Sequence, residues 1–571
     1  MRLRHLLGIG VLLVGTVAAT TPAAQATGTS ASGANAATTA EAGTYVVLAD
    51  SVATLGATEA AVVAAGGTVV RRNQAIGMLT VTAASPSFAA QVGAVAGVAG
   101  VARNRSIGKA PKVDSVERDT TAAGATGAAT TAAATTPGTG AGETYSSLQW
   151  DLNLIGATAT GSYAKQKGKK GVTVGIIDTG IDGTHPDLRA NFNKALSRNF
   201  VTDMPDIDGP CEHASCVDPV DEDDDGHGTH TAGTVAAALN GRGVSGIAPN
   251  VTLVNIRAGQ DSGFFFLDAT INALTYAGDA GINVVNMSFY TDPWLYNCAN
   301  NPADSPAEQR EQRTIIKATQ RALDYAHDKG VVLVSALGNE STDMGHPTLD
   351  DTSPDYPTLA ADPANPGTNV PRTRTVDNSC LDLPAEGHHV IGVSAIGPST
   401  RLSFYSNYGI EQTDVAAPGG DSRDTGTGLA NPANRVLSTA SLQGLVARGY
   451  AAPDGTILNT SRALKECING DCGYYNYDQG TSMASPHTVG VVALIISEYG
   501  ERGRGGRIVM DPDEVQRILF RTATKTACPA VNPAVYPDTP GYTPFCEGTT
   551  AKNGFYGNGI VNAAAAVSHR S

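Results

Sequence analysis

The chain has 571 residues, a formal net charge of −15 at pH 7 and 65 glycines. This length predicts two or three units rather than one ordinary domain. The acidic charge argues against a nucleic-acid partner, which would require a basic face. Hydrophobic residues make up 41% of the chain, so a large core can form. The many glycines fit an α/β protein with tight strand-to-helix turns.

The N-terminus has the pattern of an export signal. A basic start, Arg2 to His5, precedes an apolar run from Leu6 to Ala19, and Ala24-Gln-Ala26 supplies small residues for a signal peptidase. The alternative is a membrane anchor, but this run is shorter than the roughly 20 apolar residues that a span needs. We therefore expect residues 1–26 to be a signal peptide, and a secreted, extracellular protein with no membrane span.

The cysteines agree with export, because an even number in an exported chain favours disulfides. There are eight, and all of them follow residue 200. Sequence proximity suggests the pairs Cys211–Cys216, Cys467–Cys472 and Cys528–Cys546, which leaves Cys298–Cys380. Other pairings stay open, since eight cysteines allow 105 connectivities. A zinc site is disfavoured because no CxxC pair occurs.

The first part of the exported chain divides into a leader and a small unit. Residues 27–43 are rich in Ala, Thr, Gly and Ser, which predicts a flexible leader. Residues 44–107 have the order β-α-β-β-α-β of a ferredoxin-like α+β unit. The expected strands are 44–48, 68–71, 75–81 and 98–102, and the expected helices are 52–65 and 85–95. A unit of about 65 residues is only marginally stable alone.

The rest of the chain reads as a flexible linker followed by one large unit. The linker, residues 108–144, is mostly Ala, Thr and Gly and is a natural place for proteolytic nicking. From 145 to 571, apolar strand-like runs alternate with helix-like stretches, which predicts a doubly wound, mostly parallel α/β sheet. The expected strands are 172–177, 251–256, 283–287, 331–335, 390–393 and 413–416, and the expected helices 268–280, 308–329 and 482–499.

Three segments of this unit carry residues that suit a hydrolase. Asp178 ends a buried strand in Gly-Ile-Ile-Asp-Thr-Gly, His227 opens a helix in Asp-Gly-His-Gly-Thr-His, and Ser482 opens a helix in Gly-Thr-Ser-Met-Ala-Ser-Pro-His. Taken singly, they could be a turn aspartate, a fragment of a metal site and an N-cap serine. We expect Pro486 to be tolerated because it falls in the first turn of the last helix.

Together, the three segments predict nucleophilic catalysis. A serine hydroxyl is a poor nucleophile until an imidazole takes its proton, and the imidazole needs a carboxylate on its other nitrogen. In their order Asp…His…Ser, the segments resemble the signature motifs of the subtilisin-like serine proteases, the subtilases. The resemblance covers about residues 145–566 and, weakly, 44–107. It implies a serine endopeptidase that cleaves protein or peptide substrates, with Asp178 orienting the base His227, which activates Ser482.

The resemblance also assigns the surroundings of the serine. Asn339, at the end of the strand that begins at Val331, matches the family's oxyanion-hole asparagine. We expect substrate to bind along a strand edge, contacting Ser288, Phe289, Tyr290, Leu337 and Gly338. Tyr290 replaces a glycine of the family pattern and Leu337 adds bulk. The specificity pocket is therefore expected to be narrowed or reshaped, and its preferred residue stays open.

No cofactor is required for this chemistry, and structural calcium stays open. Asp187, in His-Pro-Asp-Leu, matches a calcium ligand of many relatives, but residues 239–246 look shorter than the family's calcium loop. The acidic run 221–225 could bind a hard cation or be a solvated loop.

The unit 44–107 resembles the inhibitor-type prodomains of subtilases. It is expected to act as an intramolecular inhibitor that is removed by a cut between about residues 105 and 145, although a permanent accessory domain is the alternative. Long insertions at 297–310, 343–386 and 421–478 are expected as loops around the cleft of a monomer. Two other functions stay open: a catalytically inactive binding module, and a narrow processing enzyme for one partner.

Overall fold

The computed structural model describes residues 43–104, 142–346, 348–354, 373–427 and 429–570. The expected signal peptide, nearly all of the leader and most of the linker lie outside the described residues. Within the described ranges, no helix is both long and apolar enough to cross a membrane.

Residues 43–104 form a four-stranded antiparallel sheet with two helices, in the strand order β2-β3-β1-β4. The elements are β1 (Gly43–Ala49), α1 (Leu55–Ala64), β2 (Thr68–Asn73), β3 (Met78–Ala83), α2 (Phe88–Gly93) and β4 (Val98–Asn104). The expected β-α-β-β-α-β order is therefore confirmed. The third strand begins at Met78 and not at residue 75, because Gly77, at φ 71°, still belongs to the turn.

A seven-stranded parallel sheet organises the rest of the chain, in the order β13-β12-β9-β8-β5-β7-β6. Its strands are β5 (Thr173–Ile177), β6 (Arg198–Asn199), β7 (Thr252–Arg257), β8 (Val284–Met287), β9 (Val332–Ala336), β12 (Val390–Ile396) and β13 (Val415–Pro418). The predicted α/β fold with a parallel sheet is confirmed.

Helices cover both faces of this sheet, as continuously apolar strands require. They are α3 (Trp150–Leu154), α4 (His227–Ala236), α5 (Leu267–Ala280), α6 (Pro306–Asp328), α7 (Leu442–Ala447), α8 (Thr481–Tyr499), α9 (Pro512–Thr522) and α10 (Ala563–Val567). In β5, Ile176 belongs to the core shared with α4 and α8, whereas Ile177 belongs to the core shared with α5 and α6. Successive strand residues thus supply opposite faces.

The expectation that residues 421–478 form only a loop is wrong. This insertion contains an antiparallel sheet in the order β14-β16-β15, together with α7. Its strands are β14 (Val436–Ala440), β15 (Ala463–Ile468) and β16 (Asp471–Asp478). The inward positions of β16 are tyrosines such as Tyr475 and Tyr477 rather than an aliphatic run, so apolar-run counting misses the strand. Short two-stranded pairs complete the fold: β10 (Leu349–Asp350) with β11 (Arg374–Thr375), and β17 (Glu501–Arg502) with β18 (Ile508–Val509).

All eight cysteines are paired. The disulfides are Cys211–Cys216, Cys467–Cys472 and Cys528–Cys546, the three that sequence proximity suggests, and Cys298–Cys380, the pair that remains. Cys298–Cys380 joins two insertions that flank the carboxyl ends of β8 and β9, and Cys467–Cys472 closes the β15–β16 hairpin.

Candidate active site

Asp178 directly follows β5, so the sheet delivers its carboxylate to the carboxyl edge of the strands, where sites form in open α/β sheets. The side chain is fully buried. Its Oδ1 accepts a hydrogen bond from its neighbour's backbone, Thr179 N, at 2.8 Å. Its own carbonyl oxygen accepts from Ala258 N and Gly259 N. The loop after β7 therefore fixes the backbone of Asp178.

His227 is the first residue of α4, and its Nδ1 lies 2.8 Å from Asp178 Oδ1. This hydrogen bond selects the tautomer with the proton on Nδ1 and leaves Nε2 as the basic nitrogen. A glycine permits the close approach of helix and strand end. A Cβ on Gly228 would lie 2.1 Å from the carbonyl oxygen of Gly180.

Asp223 joins the two elements that carry Asp178 and His227. Its Oδ1 accepts hydrogen bonds from Thr179 Oγ1 at 2.9 Å and from Gly226 N at 2.9 Å. Its Oδ2 accepts from the backbone nitrogen of Thr229 at 2.8 Å and from the Thr229 hydroxyl. The carboxylate thus anchors the N-terminus of α4 to the end of β5. Burial raises its pKa.

Ser482 is the second residue of α8, and α8 packs against α4. The helix begins at Thr481, so Pro486 lies inside it and not in the first turn, which corrects the sequence-based expectation. A proline has no N–H to bond the carbonyl four residues earlier, which here is Ser482 O. Ser288 Oγ donates to that carbonyl at 3.0 Å and replaces the missing helical bond. Ser482 Oγ in turn lies 3.5 Å from Ser288 O.

Asn339 follows β9 and is oriented by Thr481. Its Oδ1 accepts from Thr481 N at 2.9 Å and from Thr481 Oγ1 at 3.0 Å. These bonds place the amide nitrogen, the donor that an oxyanion hole needs, at the opposite end of the side chain. Gly338 has φ 95°, and a Cβ there would meet Asn407 and Glu340 at 2.6 Å. Only glycine suits this turn.

The residues expected to bind substrate fall into two groups. Ser288, Phe289 and Tyr290 follow β8, and the ring of Phe289 stacks on Phe265 with centroids 4.0 Å apart. Tyr290 is partly buried against an apolar cluster with Tyr296. Leu337, in contrast, is fully buried against Met344 and Ala385. The bulk expected of Leu337 therefore lies behind the chain segment that leads to Gly338.

His230, the second histidine of the HxxH segment, is not arranged as a metal ligand. Its ring is fully buried, and Nε2 lies 3.2 Å from the carbonyl oxygens of both Val436 and Asn476. The ring therefore joins α4 to strands β14 and β16. Burial lowers the pKa of this imidazole, which favours the neutral form.

The surroundings of Asp187 do not fit a calcium ion. Its two carboxylate oxygens accept hydrogen bonds from Asn240 Nδ2, Val244 N and the Tyr475 hydroxyl, at 3.0 to 3.2 Å. The Arg242 guanidinium lies 4.0 Å away. A calcium site consists of oxygen acceptors, whereas this carboxylate is surrounded by donors and one cation.

Comparison with known proteins agrees with this geometry. Residues 169–536 match the subtilase family. This match spans more than half of the chain and contains all three segments with Asp178, His227 and Ser482. The chain belongs to the subtilase family.

Among relatives of this subtilase, the thermophilic serine proteinase of Bacillus sp. (strain AK1) is 28% identical over 387 residues, which cover 68% of this chain and 61% of that protein. Fervidolysin of Fervidobacterium pennivorans is 27% identical over 388 residues, covering 67% of this chain and 41% of that protein. The chain thus spans less than two thirds of the length of either relative. The solved epidermin leader peptide processing serine protease of Staphylococcus aureus shares the fold, with a TM-score of 0.59 at 21% identity, covering 93% of this chain and 99% of that one.

Proposed function

We propose that this subtilase is a secreted serine endopeptidase that cleaves peptide bonds through an acyl-enzyme on Ser482 and is made as an autoinhibited, self-processing precursor. The observation that carries the proposal is the 2.8 Å hydrogen bond between His227 Nδ1 and Asp178 Oδ1 in a chain of this family. No cofactor enters the chemistry. Each role below is filled by a group of the chain itself.

In the first half-reaction, His227 Nε2 takes the proton of Ser482 as Oγ attacks the carbonyl carbon of the scissile bond. Asp178 holds the ring and stabilises the imidazolium that forms. Negative charge develops on the carbonyl oxygen, towards which the Asn339 amide and the Ser482 N–H are proposed to donate. The N-terminal end of α8 adds a favourable dipole at that point.

The first half-reaction ends when the imidazolium gives its proton to the leaving amine, the C–N bond breaks and the acyl group stays on Ser482. In the second half-reaction, water attacks the ester with His227 as base, the bond from the acyl carbon to Ser482 Oγ breaks, and Oγ takes the proton back from His227 as the acid product leaves. Ser288 acts through Ser482 as a positioning residue, because its bond to Ser482 O completes the turn that proline interrupts.

The packing of residues 43–104 supports a role as intramolecular inhibitor. Strand β1 is buried on both faces: Tyr45 and Val47 face α1 and α2, whereas Val46 and Leu48 pack with α5 and α6. The unit therefore contributes one face of its own sheet to the core of the large unit.

Polar contacts fix the position of this small unit next to the proposed cleft. Asn73 Nδ2 donates to Asn272 Oδ1 at 3.1 Å, and Asn104 Oδ1 accepts from Asp268 N at 3.0 Å at the start of α5. Phe265, two residues before α5, stacks on Phe289. The last strand of the unit therefore ends at the start of α5, close to the chain that contacts Phe289.

Arg321→Ala is expected to weaken inhibition by the small unit about 10- to 100-fold, since hydrogen bonds from a charged group are the strong ones. Arg321, on α6, donates from Nη1 to Ala49 O and from Nη2 to Asp50 O, each at 2.7 Å. The measurement is the peptidase activity regained when the freshly matured enzyme, still bound to its cleaved prodomain, is diluted. The variant should regain activity at a concentration higher by that factor.

Arg313→Ala is the matched control, because Arg313 lies on the same helix but donates to Ala299 O and Asn300 Oδ1. If both variants regain activity at the concentration of the wild type, the interface does not carry inhibition.

Calcium is proposed at a buried group of carboxylates rather than at Asp187. Asp203, Asp218 and Asp261 each offer an oxygen within 4.8 Å of the others. Asp203 is 5% exposed, and neither of its oxygens has a hydrogen-bond partner within the described ranges. Among the residues that the structure describes, Arg257 pairs with Asp218 and Asp261, and His213 Nε2 lies 3.9 Å from Asp218 Oδ1, so the three carboxylates still outnumber the cationic groups beside them. An oxygen-only donor set with excess negative charge fits Ca²⁺. Of the run 221–225, only Asp224 also has an unpartnered buried oxygen.

Without an ion, this group should make stability fall with rising pH. Burial first, and neighbouring carboxylates second, raise the pKa of Asp203 and Asp224 to about 6, and burial raises that of Asp261 to about 8. The folded state then binds protons more tightly than the unfolded state. The free energy of unfolding is expected to fall from about pH 4 to about pH 8 in chelator, and Ca²⁺ should restore it.

The measurement is the Tm of the inactive Ser482→Ala protein, in chelator and in Ca²⁺, at pH 5 and pH 8. We expect a Tm rise with Ca²⁺ of several degrees that is larger at pH 8. Adding Asp203→Asn should remove this rise, whereas Asp221→Asn, which removes the partner of the exposed Lys194, should keep it. An equal Tm in chelator and in Ca²⁺ at both pH values would exclude the site.

The experiment that tests the main proposal follows the wild-type precursor. Intact mass gives its size over time, and a fluorophosphonate probe reports a nucleophilic serine. Shortening together with labelling supports a self-processing serine endopeptidase. An unshortened, unlabelled protein in Ca²⁺ with intact disulfides would favour a binding module instead.

A further inference from the structure

A gap opens beside Ser482, between the ends of two neighbouring strands. Strands β8 and β9 pair as far as Met287 and Ser335. Beyond these residues the two chain segments make different contacts. Ser288 Oγ donates to Ser482 O, whereas Asn339 Oδ1 accepts from Thr481 N. A substrate side chain next to the scissile bond would enter between these two chain segments.

The segment 381–386 closes the far side of this gap. Leu383 O accepts from Thr291 N at 2.8 Å, which ties the segment to the chain that continues from β8. Ala385 packs in one cluster with Leu337 and Met344, which ties it to the end of β9. The residue next to Leu383, Asp382, is therefore held between the two walls.

Asp382 is buried, and one of its oxygens lacks, within the described part of the chain, the partner that a buried carboxylate requires. It is 2% exposed, and its Oδ1 has no hydrogen-bond partner among the residues that the structure describes. Its backbone nitrogen, by contrast, donates to Glu386 Oε2 at 2.7 Å. A buried carboxylate with an unsatisfied oxygen is costly, so the arrangement indicates a group that arrives with a positive charge.

Among the residues that the structure describes, the charges around Asp382 have the same sign. They are Glu340, which follows Asn339, and Glu386 and Asp350. Asp350 is already paired with Arg374, which leaves three carboxylates at the gap. Burial raises the pKa of Asp382 well above its usual value and that of Glu386 to about 7. A bound cation would favour the ionised forms.

We propose that Asp382 is a specificity-determining residue of the proposed endopeptidase and receives a lysine or arginine side chain from the substrate residue on the acyl side of the scissile bond. The inference rests on the proposed function and specifies its substrate class. Glu340 and Glu386 add to the negative field, and arginine suits a carboxylate through paired N–H donors.

The test compares peptides that differ only at this residue, which is arginine, lysine, citrulline or leucine. Citrulline keeps the shape of arginine and removes the charge. We expect the wild-type kcat/KM for arginine to exceed that for citrulline about 10- to 100-fold, as for loss of a buried charge partner. Asp382→Asn should bring the two values together. Glu411→Gln, which removes an exposed charge nearby, should keep the ratio.

The outcomes separate this inference from the proposed function. Fluorophosphonate labelling checks that each variant keeps a reactive serine. If labelled wild-type enzyme cleaves leucine or citrulline peptides with the same kcat/KM as arginine peptides, the inference is overturned and the endopeptidase stands. An unchanged arginine-to-citrulline ratio in labelled Asp382→Asn also overturns it. If the wild type is neither labelled nor able to cleave any peptide, both fail. The wild-type comparison alone decides the matter if Asp382→Asn does not fold.

Discussion

Ser482→Ala is expected to abolish both peptide hydrolysis and the shortening of the precursor. The nucleophile and the acyl-enzyme are lost together, and losses of a catalytic serine in such triads reach about 10⁶ in kcat. The fold should survive, because the change removes one hydroxyl whose contact is Ser288 O at 3.5 Å. The measurement is intact mass with peptide turnover, and the variant should stay full-length.

Ser485→Ala is the control, since it removes another hydroxyl of α8, three residues after Ser482. That hydroxyl donates to Asn286 Oδ1 at 2.8 Å, away from His227. It should still mature and react with fluorophosphonate. Turnover by Ser482→Ala near the wild-type rate would mean that another residue is the nucleophile.

Asp178→Asn is expected to lower kcat by about 10⁴, the loss known for this change in a serine-protease triad. The amide could still accept from Thr179 N, so the fold should be kept. It would no longer stabilise the imidazolium, and its NH₂ group would favour the wrong tautomer of His227. The measurement is kcat of the matured enzyme, with Tm as the check on folding.

Asp182→Asn gives the comparison for this second prediction. Asp182 lies in the same turn, but its Oδ1 accepts from Thr184 N and Thr184 Oγ1. Its kcat should stay within a few-fold of the wild type. Equal losses in the two variants would assign the effect to the turn rather than to the carboxylate that contacts His227.

Periodicity and resemblance predict the elements that carry the proposed triad. The run from Val174 to Ile177, directly before Asp178, has no polar side chain, which predicts a buried strand with the carboxylate following at the edge of the sheet. The start of α8 was less predictable. Its first residue, Thr481, is set by hydrogen bonds to Asn339 from another strand, which no local pattern reveals.

The residues that sequence reasoning missed act through distant partners. Ser288 was assigned to substrate binding, yet its hydroxyl also donates to Ser482 O. The sequence signal for this contact was Pro486, which leaves that carbonyl without its helical partner. Asp223 lay in an acidic run that suggested a cation site, but its oxygens accept from Thr179 and Thr229. Asp382 has no motif around it. Its role emerges only because an insertion folds back over two strand ends.

The order of the strands has a consequence for how the chain folds. Strand β5 lies between β7 and β8, although a long stretch of chain separates it from both. Such pairings of distant segments are slow, because loop-closure entropy is lost before the contacts form. The small N-terminal unit packs on α5 and α6, the helices before and after β8 in the chain. It can therefore hold α5, β8 and α6 together while β5 inserts between β7 and β8. If the unit is cut away as proposed, we expect the mature enzyme to persist through a high unfolding barrier rather than through rapid refolding.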